Sequence, residues 1–390
     1  MLYAIVKPLM KAALHLYFGR IVRNGLEHID NGRPTLILAN HTASFMDAMI
    51  TACFIRRRIH FFARGDVFTN KWVNKILRSF GLMPVYRLID GRHMLQHNDS
   101  SNEEALKILE RGGAVLIFAE GASHVAKVLK PLKKGPFRLA ATAAVTLPEA
   151  PLLVPMGINY VTPARPFGDV FLNASEPIKT TDFQSVKEPA STKAATDMMR
   201  ATATALEPLA WHIPNETYLP AADDLLHSLK NADPDYSFAV SQQLLGMLNG
   251  VNGQGRQKSF AELLESGNPG GSDLSGRIHY FKKPDLMEWL GIIIGAPVVL
   301  AGYVAYFIPV RFAKFLADKK VKEADFWAPV FICCALIGVL LWATLWIIAG
   351  IVWQQLPAVL ACLAIAAASG IFWLKWYRPL WDRLNYKPKS

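Results

Sequence analysis

At 390 residues with a formal net charge of +11, the chain is long enough for one large domain or two smaller ones, and it favours an anionic partner such as phospholipid headgroups, phosphorylated small molecules, coenzyme phosphates or nucleic acid. Hydrophobic residues make up 52% of the chain, and the excess over a typical soluble domain is concentrated between Trp289 and Trp376. All four cysteines lie in apolar segments, which excludes a disulfide framework and fits a reducing cytoplasmic setting.

Residues 1–23 are apolar but interrupted by basic residues and by Pro8. Pro8 argues against a simple membrane span, and the charges do not follow the order of a secretory signal. With aromatic residues such as Tyr17 along it, the segment is predicted to be an amphipathic helix associated with the membrane. An ordinary packing helix of the following domain is the alternative.

Residues 24–186 alternate between patterns typical of buried strands and of helices. Apolar runs predict strands at 35–39, 114–118 and 151–159, and residues 101–111 have the charge pattern of a helix. Further strands are expected at 59–63, 81–87 and 170–173, and a further helix at 68–80. This alternation predicts an α/β domain with a mixed, mostly parallel sheet flanked by helices.

One turn of this domain carries a histidine and an acidic residue. The strand at 35–39 ends in Asn40-His41, and a helical pattern begins near Asp47. Ser44 suits a helix cap better than a nucleophile. A carboxylate on one imidazole nitrogen fixes the tautomer and leaves the other nitrogen free to take a proton. Taken alone, however, the two residues fit a turn histidine and a capping aspartate better.

Residues 187–276 are predicted to be a helical extension followed by a flexible linker. Helical patterns run from 201 to 212 and from 237 to 248. The stretch 249–276 is rich in Gly, Asn, Gln and Ser, which is typical of a linker. No chemistry is predicted in this region.

Residues 277–390 are predicted to form a membrane region. Segments 326–353 and 356–376 each have enough apolar residues to cross a bilayer as helices, which takes about 20 residues. Segment 289–312 is a third candidate, but Pro297, Pro309 and three glycines are expected to break it, so it is predicted to be re-entrant or spanning.

Charge predicts the orientation of this region. Basic residues are concentrated in a predicted loop at 311–325 and after Trp376, whereas the link 354–355 has none. Both basic stretches should therefore be cytoplasmic, with the last two segments forming a hairpin. A re-entrant segment 289–312 would then leave the α/β domain facing the cytoplasm.

Four blocks follow one another within residues 35–160. They are Asn40-His41 with Asp47, Gly-Leu-Met-Pro-Val-Tyr-Arg at 81–87, Phe-Ala-Glu-Gly-Ala-Ser at 118–123, and Val154-Pro155. Each block is weak alone, but all four in this order are quite specific. Together they resemble the glycerolipid acyltransferases of the 1-acylglycerol-3-phosphate acyltransferase type, and the resemblance implies that family's fold.

The resemblance implies direct acyl transfer at a membrane. His41 would deprotonate an acceptor hydroxyl as general base, with Asp47 orienting the ring. The fatty acyl group would come from acyl-CoA or acyl-carrier protein as co-substrate, without a cofactor or a metal. The acceptor would be a phosphorylated glycerol, either glycerol-3-phosphate or 1-acylglycerol-3-phosphate, and membrane lipids would be partners.

The substrate-binding residues are also carried over from the resemblance. Arg87 is the first candidate for the acceptor phosphate, because a guanidinium binds phosphate through two hydrogen bonds. Glu120 and Gly121 would position the glycerol hydroxyls. Weaker candidates for phosphate contacts are Ser123, Lys133 and Lys134. For the two lysines, a solvated basic surface is an equally good interpretation.

The sequence departs from the family pattern in three places. Five residues separate His41 from Asp47, where the family usually has four, so a looser turn is expected. Ala122-Ser123 replaces the usual Thr-Arg, and the resulting Glu-Gly-x-Ser-His resembles the branch that acylates the first position of glycerol-3-phosphate or dihydroxyacetone phosphate. Ala119 replaces the usual proline, which is expected to matter little.

Other functions are weighed against this one. His93 and His97 have the spacing of a metal-ligating pair but lack the zinc-protease glutamate, so no metal is expected. No Gly-x-Ser-x-Gly elbow or nucleic-acid recognition motif accompanies the basic surface, so neither a serine hydrolase nor a nucleic-acid partner is expected. An acyltransferase for another lyso-lipid, such as a lyso-aminolipid, and a non-catalytic membrane protein that retains the scaffold remain as alternatives.

Overall fold

The structure is a computed structural model with two compact units. The first comprises Met1–Lys11, Ile21–Tyr160 and Val170–His212, and the second comprises Ala12–Arg20, Val161–Asp169 and Ile213–Ser390. The residues that the structure describes are 2–30, 32–86, 96–124, 126–164, 166–184, 191–232, 235–250, 286–321 and 323–377. The predictions for Arg87, for His93 and for the linker beyond residue 250 fall outside them.

The first unit contains an eight-stranded sheet. Its strands are β1 (Ile21–Asn24), β2 (Thr35–Ala39), β3 (Ile59–Arg64), β4 (Leu82–Val85), β5 (Ala114–Phe118), β6 (Leu152–Tyr160), β7 (Val170–Ala174) and β8 (Ile178–Lys179). The order is β1-β7-β6-β2-β5-β3-β4, and β8 also pairs with β6. Only β6 pairs antiparallel, with β7 and β8. The predicted class, a mixed and mostly parallel sheet flanked by helices, is confirmed.

Strand β2 lies in the middle of the sheet, between β5 and β6, and is parallel to both. All five of its residues are buried, which explains its uninterrupted apolar sequence. Its neighbour β5 is buried over Ala114–Ile117 for the same reason. The carboxyl ends of these two strands therefore lie side by side at one edge of the sheet.

The helices of the first unit pack on this sheet. They are α1 (Leu2–Tyr17, whose residues after Lys11 belong to the second unit), α2 (Phe45–Phe54), α3 (Lys71–Ser79), α4 (His97–Glu110), α5 (Lys134–Thr146) and α6 (Thr192–Leu206). One apolar cluster joins β2 and β5 to α4, α5 and α6, with Leu36, Leu109, Phe137 and Met198 fully or almost fully buried in it. Burial of such side chains is the main stabilising contribution to the fold.

The N-terminal prediction needs correction. The helix predicted over 1–23 ends at Tyr17, and Ile21–Asn24 forms strand β1, which pairs in parallel with β7. Four residues are too few to show an alternating pattern, so only the tertiary pairing identifies this strand. The same applies to the two-residue strand β8.

The second unit contains α7 (Leu219–Ala232) and α8 (Phe238–Gly250). A buried carboxylate organises this part of it: Asp169 pairs with Arg20 at 2.9 Å and with Lys230 at 2.7 Å. The Arg20 guanidinium also lies over the ring of Tyr236. Two cations and a ring thus surround one buried acid, as a charge in an apolar interior requires.

Three apolar helices end the second unit: α9 (Leu286–Lys320), α10 (Ala324–Val352) and α11 (Leu356–Phe372). Two segments, Trp289–Lys320 and Phe326–Val352, are long and apolar enough to cross a membrane. Small residues let the helices approach closely, because a Cβ added at Gly302 would lie 2.9 Å from that of Ser369. The indole of Trp342 donates a hydrogen bond to the carbonyl of Ala305.

Two details of the predicted membrane region are wrong. Pro297 and Pro309 do not break the first segment, which is one continuous helix from Leu286 to Lys320. The basic stretch taken as a loop from residue 311 is helical up to Lys320. Neighbouring helices can accommodate proline in a membrane helix, which is why proline was a poor guide here. The continuous helix is long and apolar enough to span, and the prediction of a re-entrant or spanning segment stays a prediction.

Candidate active site

The site lies where β2 and β5 end. Ala39 at the end of β2 is in register with Phe118 at the end of β5. His41 and Glu120 each follow two residues later in the chain. Because the strands are parallel, both side chains lie at the same edge of the sheet, where open α/β sheets bind their ligands.

His41 and Asp47 form a hydrogen-bonded pair. The Nδ1 atom of His41 lies 2.8 Å from the Oδ2 atom of Asp47. The aspartate side chain is completely buried, whereas the histidine side chain is 17% exposed. A buried acceptor on Nδ1 holds the proton on that nitrogen and leaves Nε2 as the basic atom.

The turn between them is held by the same carboxylate. The backbone N–H groups of Thr42 and Ala43 both donate to Oδ2 of Asp47, at 3.0 and 2.9 Å. The extra residue in this turn therefore does not prevent the pairing of His41 with Asp47. Ser44 adopts a φ of 50°, a region that favours glycine, and this lets the chain fit one extra residue into a tight turn.

Ser44 is the residue that precedes α2, but its side chain makes no capping hydrogen bond. The carboxylate of Asp47 accepts hydrogen bonds from backbone N–H groups of the turn that leads into the helix. Ser44 thus precedes the helix as predicted, but the capping hydrogen bond predicted for its side chain is absent.

The imidazole of His41 is held on its face as well as at its edge. The ring of Phe118 stacks on it, with 3.9 Å between centroids and 8° between planes. Among the described residues no hydrogen bond reaches Nε2 of His41. One nitrogen is thus anchored, the plane is fixed, and the second nitrogen is open to a ligand.

Asn40 fixes the backbone that carries His41. Its side-chain oxygen accepts a hydrogen bond from the N–H of Ile158 at 2.7 Å, and its side-chain nitrogen donates to the carbonyl of Ile158 at 3.0 Å. Asn40 is buried. Through its side chain, β2 stays hydrogen-bonded to β6 one residue beyond Ala39, the last residue of β2. The position of His41 is set by the sheet as a result.

Tyr160, at the end of β6, lies beside the carboxylate of Asp47. Burial, and after it the negative charge of Asp47, raise the pKa of Tyr160 well above its ordinary value. The hydroxyl is therefore neutral at physiological pH. A neutral hydroxyl next to a buried carboxylate can stabilise its charge.

A second imidazole–carboxylate pair lies next to the first. The Nε2 atom of His124 is 2.8 Å from the Oε2 atom of Glu120, and the other oxygen of Glu120 accepts a hydrogen bond from the N–H of Lys130. Glu120 is buried. Both oxygens of the predicted hydroxyl-binding glutamate thus have protein partners.

The loop after β5 brings two more predicted residues to this edge. Gly121 has a φ of 78°, and a Cβ there would lie 3.1 Å from the Cγ of Lys133. The side chain of Lys133 therefore lies over Gly121. Lys134 begins α5 and, like Lys133, is exposed. Ser123 is half-buried next to His124 in this loop.

The structure thus brings together His41, Asp47, Glu120, Gly121 and Lys133, whereas Arg87 lies outside the described residues. Sequence reasoning missed His124, Tyr160 and the role of Asn40. For His124 a signal existed, because it follows Glu120 by four residues. Among the described residues, no three metal-ligating side chains cluster together.

Part of the chain is similar to known proteins. The model of the Acyltransferase family matches residues 20–159. The 1-acyl-sn-glycerol-3-phosphate acyltransferase of Bacillus subtilis is 28% identical over 153 residues, which cover 38% of this chain and 69% of that protein. The crystal structure of the 1-acyl-sn-glycerophosphate acyltransferase of Thermotoga maritima is similar with a TM-score of 0.38 and 22% identity, covering 52% of this chain and 78% of the other.

The matched family region contains the strands β2 and β5, the pair His41 and Asp47, and the pair Glu120 and His124. Residues 20–159, the part of the chain that carries the site, are thus similar to acyltransferases. The C-terminal apolar helices lie outside the matched region.

Proposed function

We propose that the protein is a membrane-bound O-acyltransferase of phospholipid synthesis. It transfers a fatty acyl group from acyl-CoA or acyl-carrier protein to a hydroxyl of a phosphorylated glycerol. The observation that carries the proposal is the hydrogen bond of 2.8 Å between His41 and the buried Asp47, with the second nitrogen of the imidazole open. The acceptor we favour is 1-acylglycerol-3-phosphate, with glycerol-3-phosphate as its competitor.

His41 acts as the general base. Its Nε2 atom takes the proton of the acceptor hydroxyl as the oxygen attacks the carbonyl carbon of the thioester. Asp47 holds the proton of Nδ1 and stabilises the imidazolium that forms. The stacked ring of Phe118 keeps the imidazole in the plane required for this transfer.

The tetrahedral intermediate then collapses. The carbon–sulfur bond breaks, the new ester remains on the acceptor, and the leaving thiolate receives the proton that His41 has held. No protein nucleophile is required, because a thioester is already an activated acyl group. Ser44 is consistent with this view, since it is buried and its backbone closes the turn.

Acceptor binding falls to the loop after β5. Lys133, which lies over Gly121, and the neighbouring Lys134 supply positive charge for the phosphate, and Ser123 supplies a hydroxyl. Glu120 positions the glycerol hydroxyls, with His124 orienting its carboxylate. Arg87 remains the candidate for a bidentate phosphate contact.

We place the catalytic domain on the cytoplasmic side, where acyl-CoA and acyl-carrier protein are found. The four cysteines are all free thiols, which agrees with that side. If α9 spans the membrane, the basic residues of its last turn lie on the side opposite to the catalytic domain. Basic residues next to membrane helices are usually cytoplasmic, so this arrangement would be an exception. An impermeant thiol reagent applied to intact cells that express a Lys193→Cys variant decides between the two. No labelling until the cells are opened is expected.

The proposal is tested with full-length protein in detergent, labelled acyl donors and a panel of acceptors. The panel holds 1-acylglycerol-3-phosphate, glycerol-3-phosphate and a lyso-aminolipid, each with acyl-CoA and with acyl-carrier protein. His41→Ala should reduce kcat by roughly 10²–10⁴-fold, the usual contribution of a general base. Undiminished transfer by the folded variant would contradict the assignment of the base. No transfer to any acceptor by the wild type would favour a non-catalytic protein.

A further inference from the structure

Helix α3 presents an unusual outer face to solvent. Trp72 is 77% exposed and Ile76 is 48% exposed, although the helix belongs to the folded first unit. Lys71 and Lys75 are exposed beside them. We refer to Lys71, Trp72, Lys75 and Ile76 as the α3 outer face. Indole rings are seldom left this open in a soluble domain, since they are among the largest apolar side chains.

The α3 outer face has two distinct halves. At about 100° per residue, Lys71 and Lys75 share one line along the helix, and Trp72 and Ile76 share the next. Val73 and Leu77 point the other way and are half-buried. A basic strip thus lies beside an apolar strip on one short helix, which is the arrangement of helices that lie in the plane of a membrane surface.

The helix is held firmly in this orientation. The side chain of Asn70 accepts hydrogen bonds from the N–H groups of Trp72 and Val73 and so caps its start. At its other end Arg78 binds both carboxylate oxygens of Glu104, at 2.9 and 2.7 Å. The exposed indole is therefore not the result of a frayed helix end.

The charge of the face has no internal compensation. Arg78 is paired, but within the described residues Lys71 and Lys75 have no carboxylate within ion-pair distance. The helix itself contains no acidic residue. The face therefore attracts an anionic partner, and its apolar strip requires that the partner also offer an apolar layer.

A second exposed apolar strip lies on the neighbouring helix. Leu2, Ile5 and Leu9 of α1 are all exposed. The ring of Tyr3 on the same helix lies 6.5 Å from that of Phe80, the residue that follows α3. Helix α1 thus lies near the end of α3, and both helices leave apolar side chains uncovered.

We propose that the α3 outer face docks onto an anionic lipid bilayer, with Trp72 and Ile76 entering the headgroup region and Lys71 and Lys75 binding lipid phosphates. A bilayer offers negative charge and an apolar layer side by side. The second unit of the same chain contains two helices that are long and apolar enough to cross a membrane, which agrees with a bilayer as the partner. The inference does not depend on the catalytic activity.

The test is a spin label on the full-length chain in lipid nanodiscs. The label is attached at Ile76→Cys in a background whose four native cysteines are replaced by alanine, and a control label is attached at Ala203→Cys, on the exposed side of α6. Molecular oxygen concentrates in lipid, and a nickel chelate stays in water. The ratio of the label's accessibility to oxygen to its accessibility to the chelate therefore reports how deep the label lies in the bilayer. The bilayers are zwitterionic, or zwitterionic with added phosphatidylglycerol.

With phosphatidylglycerol present, we expect the ratio at position 76 to rise by about threefold or more over the control label. Adding Lys71→Glu with Lys75→Glu, or Trp72→Ala, should abolish most of this rise. The matched control is Lys193→Glu with Arg200→Glu, which makes the same charge change on α6 and should leave the rise intact. Thermal unfolding of each variant confirms that it is folded.

Three outcomes would overturn the proposal. One is a label at position 76 that stays as accessible to the nickel chelate as the control label in every bilayer. Another is a label shielded from both probes already in detergent, which would mean that protein, from this chain or a second copy, covers the face. The third is a change in the accessibility of the label at position 76 that occurs only when acyl-carrier protein is added. It would assign the face to an acidic protein partner.

Discussion

The backbone N–H of His124 donates a hydrogen bond of 3.1 Å to the carbonyl oxygen of His41. The two imidazole–carboxylate pairs of the site are therefore joined through the backbone. A shift of the loop that carries Glu120 would move His41 as well. Glu120, for which we propose acceptor binding, and His41, the proposed general base, are thus parts of one hydrogen-bonded assembly.

Replacing His124 should lower activity through Glu120. His124→Ala removes the partner of a buried carboxylate oxygen, which costs about 1–3 kcal/mol. This corresponds to a loss of roughly 5- to 150-fold in kcat/KM for the acceptor. Steady-state kinetics with the acceptor varied at saturating donor measure it.

His124→Gln is the control for this prediction, because its amide can still donate a hydrogen bond to Glu120. It should recover most of the activity that His124→Ala loses. If both variants lose activity equally, the imidazole itself is needed, and the role assigned to it as a partner of Glu120 is wrong.

Asp47→Asn should reduce kcat by roughly 10²–10⁴-fold with little change in KM. The amide cannot stabilise an imidazolium, and an amide nitrogen facing Nδ1 would reverse the tautomer of His41. The three N–H groups that now converge on Oδ2 make it important to check folding by thermal unfolding. A variant with unchanged kcat would show that His41 needs no carboxylate.

Much of the fold follows from local sequence patterns. The buried strands β2, β5 and β6 have long apolar runs, and their order along the chain with helices between them predicts a parallel sheet. Strand β1 could not be predicted, because four residues next to an apolar helix carry no periodic signal of their own. Its pairing with β7 is a long-range event.

The sequence predicted the part of the candidate site in which the reactive residue types lie on either side of one short turn. His41 follows a strand, Asp47 lies in the first turn of the next helix, and the structure brings them together as a hydrogen-bonded pair. Tyr160 could not be found in this way, because it lies more than a hundred residues away and reaches Asp47 only through the pairing of β6 with β2. The strained turn at Ser44 is likewise invisible in residue types.

Asn40→Ala should destabilise the first unit and lower activity together. The change removes the two buried hydrogen bonds between Asn40 and the N–H and carbonyl of Ile158. Each loss should lower the free energy of unfolding by about 1–3 kcal/mol. The midpoint of thermal unfolding should fall clearly. Asn74→Ala is the control, since its side-chain oxygen accepts a hydrogen bond from Arg78 at an exposed place on α3 and the loss of this bond should cost little.

His60 on β3 should make the stability of the first unit depend on pH. Burial, followed by the positive charge of Arg58, lowers the pKa of His60 below the ordinary value of 6.5. Below pH 6.5 the unfolded chain binds a proton at this position before the folded chain does, so protonation favours unfolding. The stability is therefore complete above pH 6.5 and is lost as the pH falls towards the lower pKa of the folded state.

The measurement compares wild type with His60→Gln, which cannot titrate. Unfolding midpoints are recorded from about pH 7.5 to about pH 5.5, a range that covers the titration of an ordinary histidine. The wild-type midpoint should fall more steeply with decreasing pH than that of the variant. Parallel curves would mean that His60 binds its proton equally well in the folded and unfolded chains, and burial between β5 and β4 would then not shift its pKa.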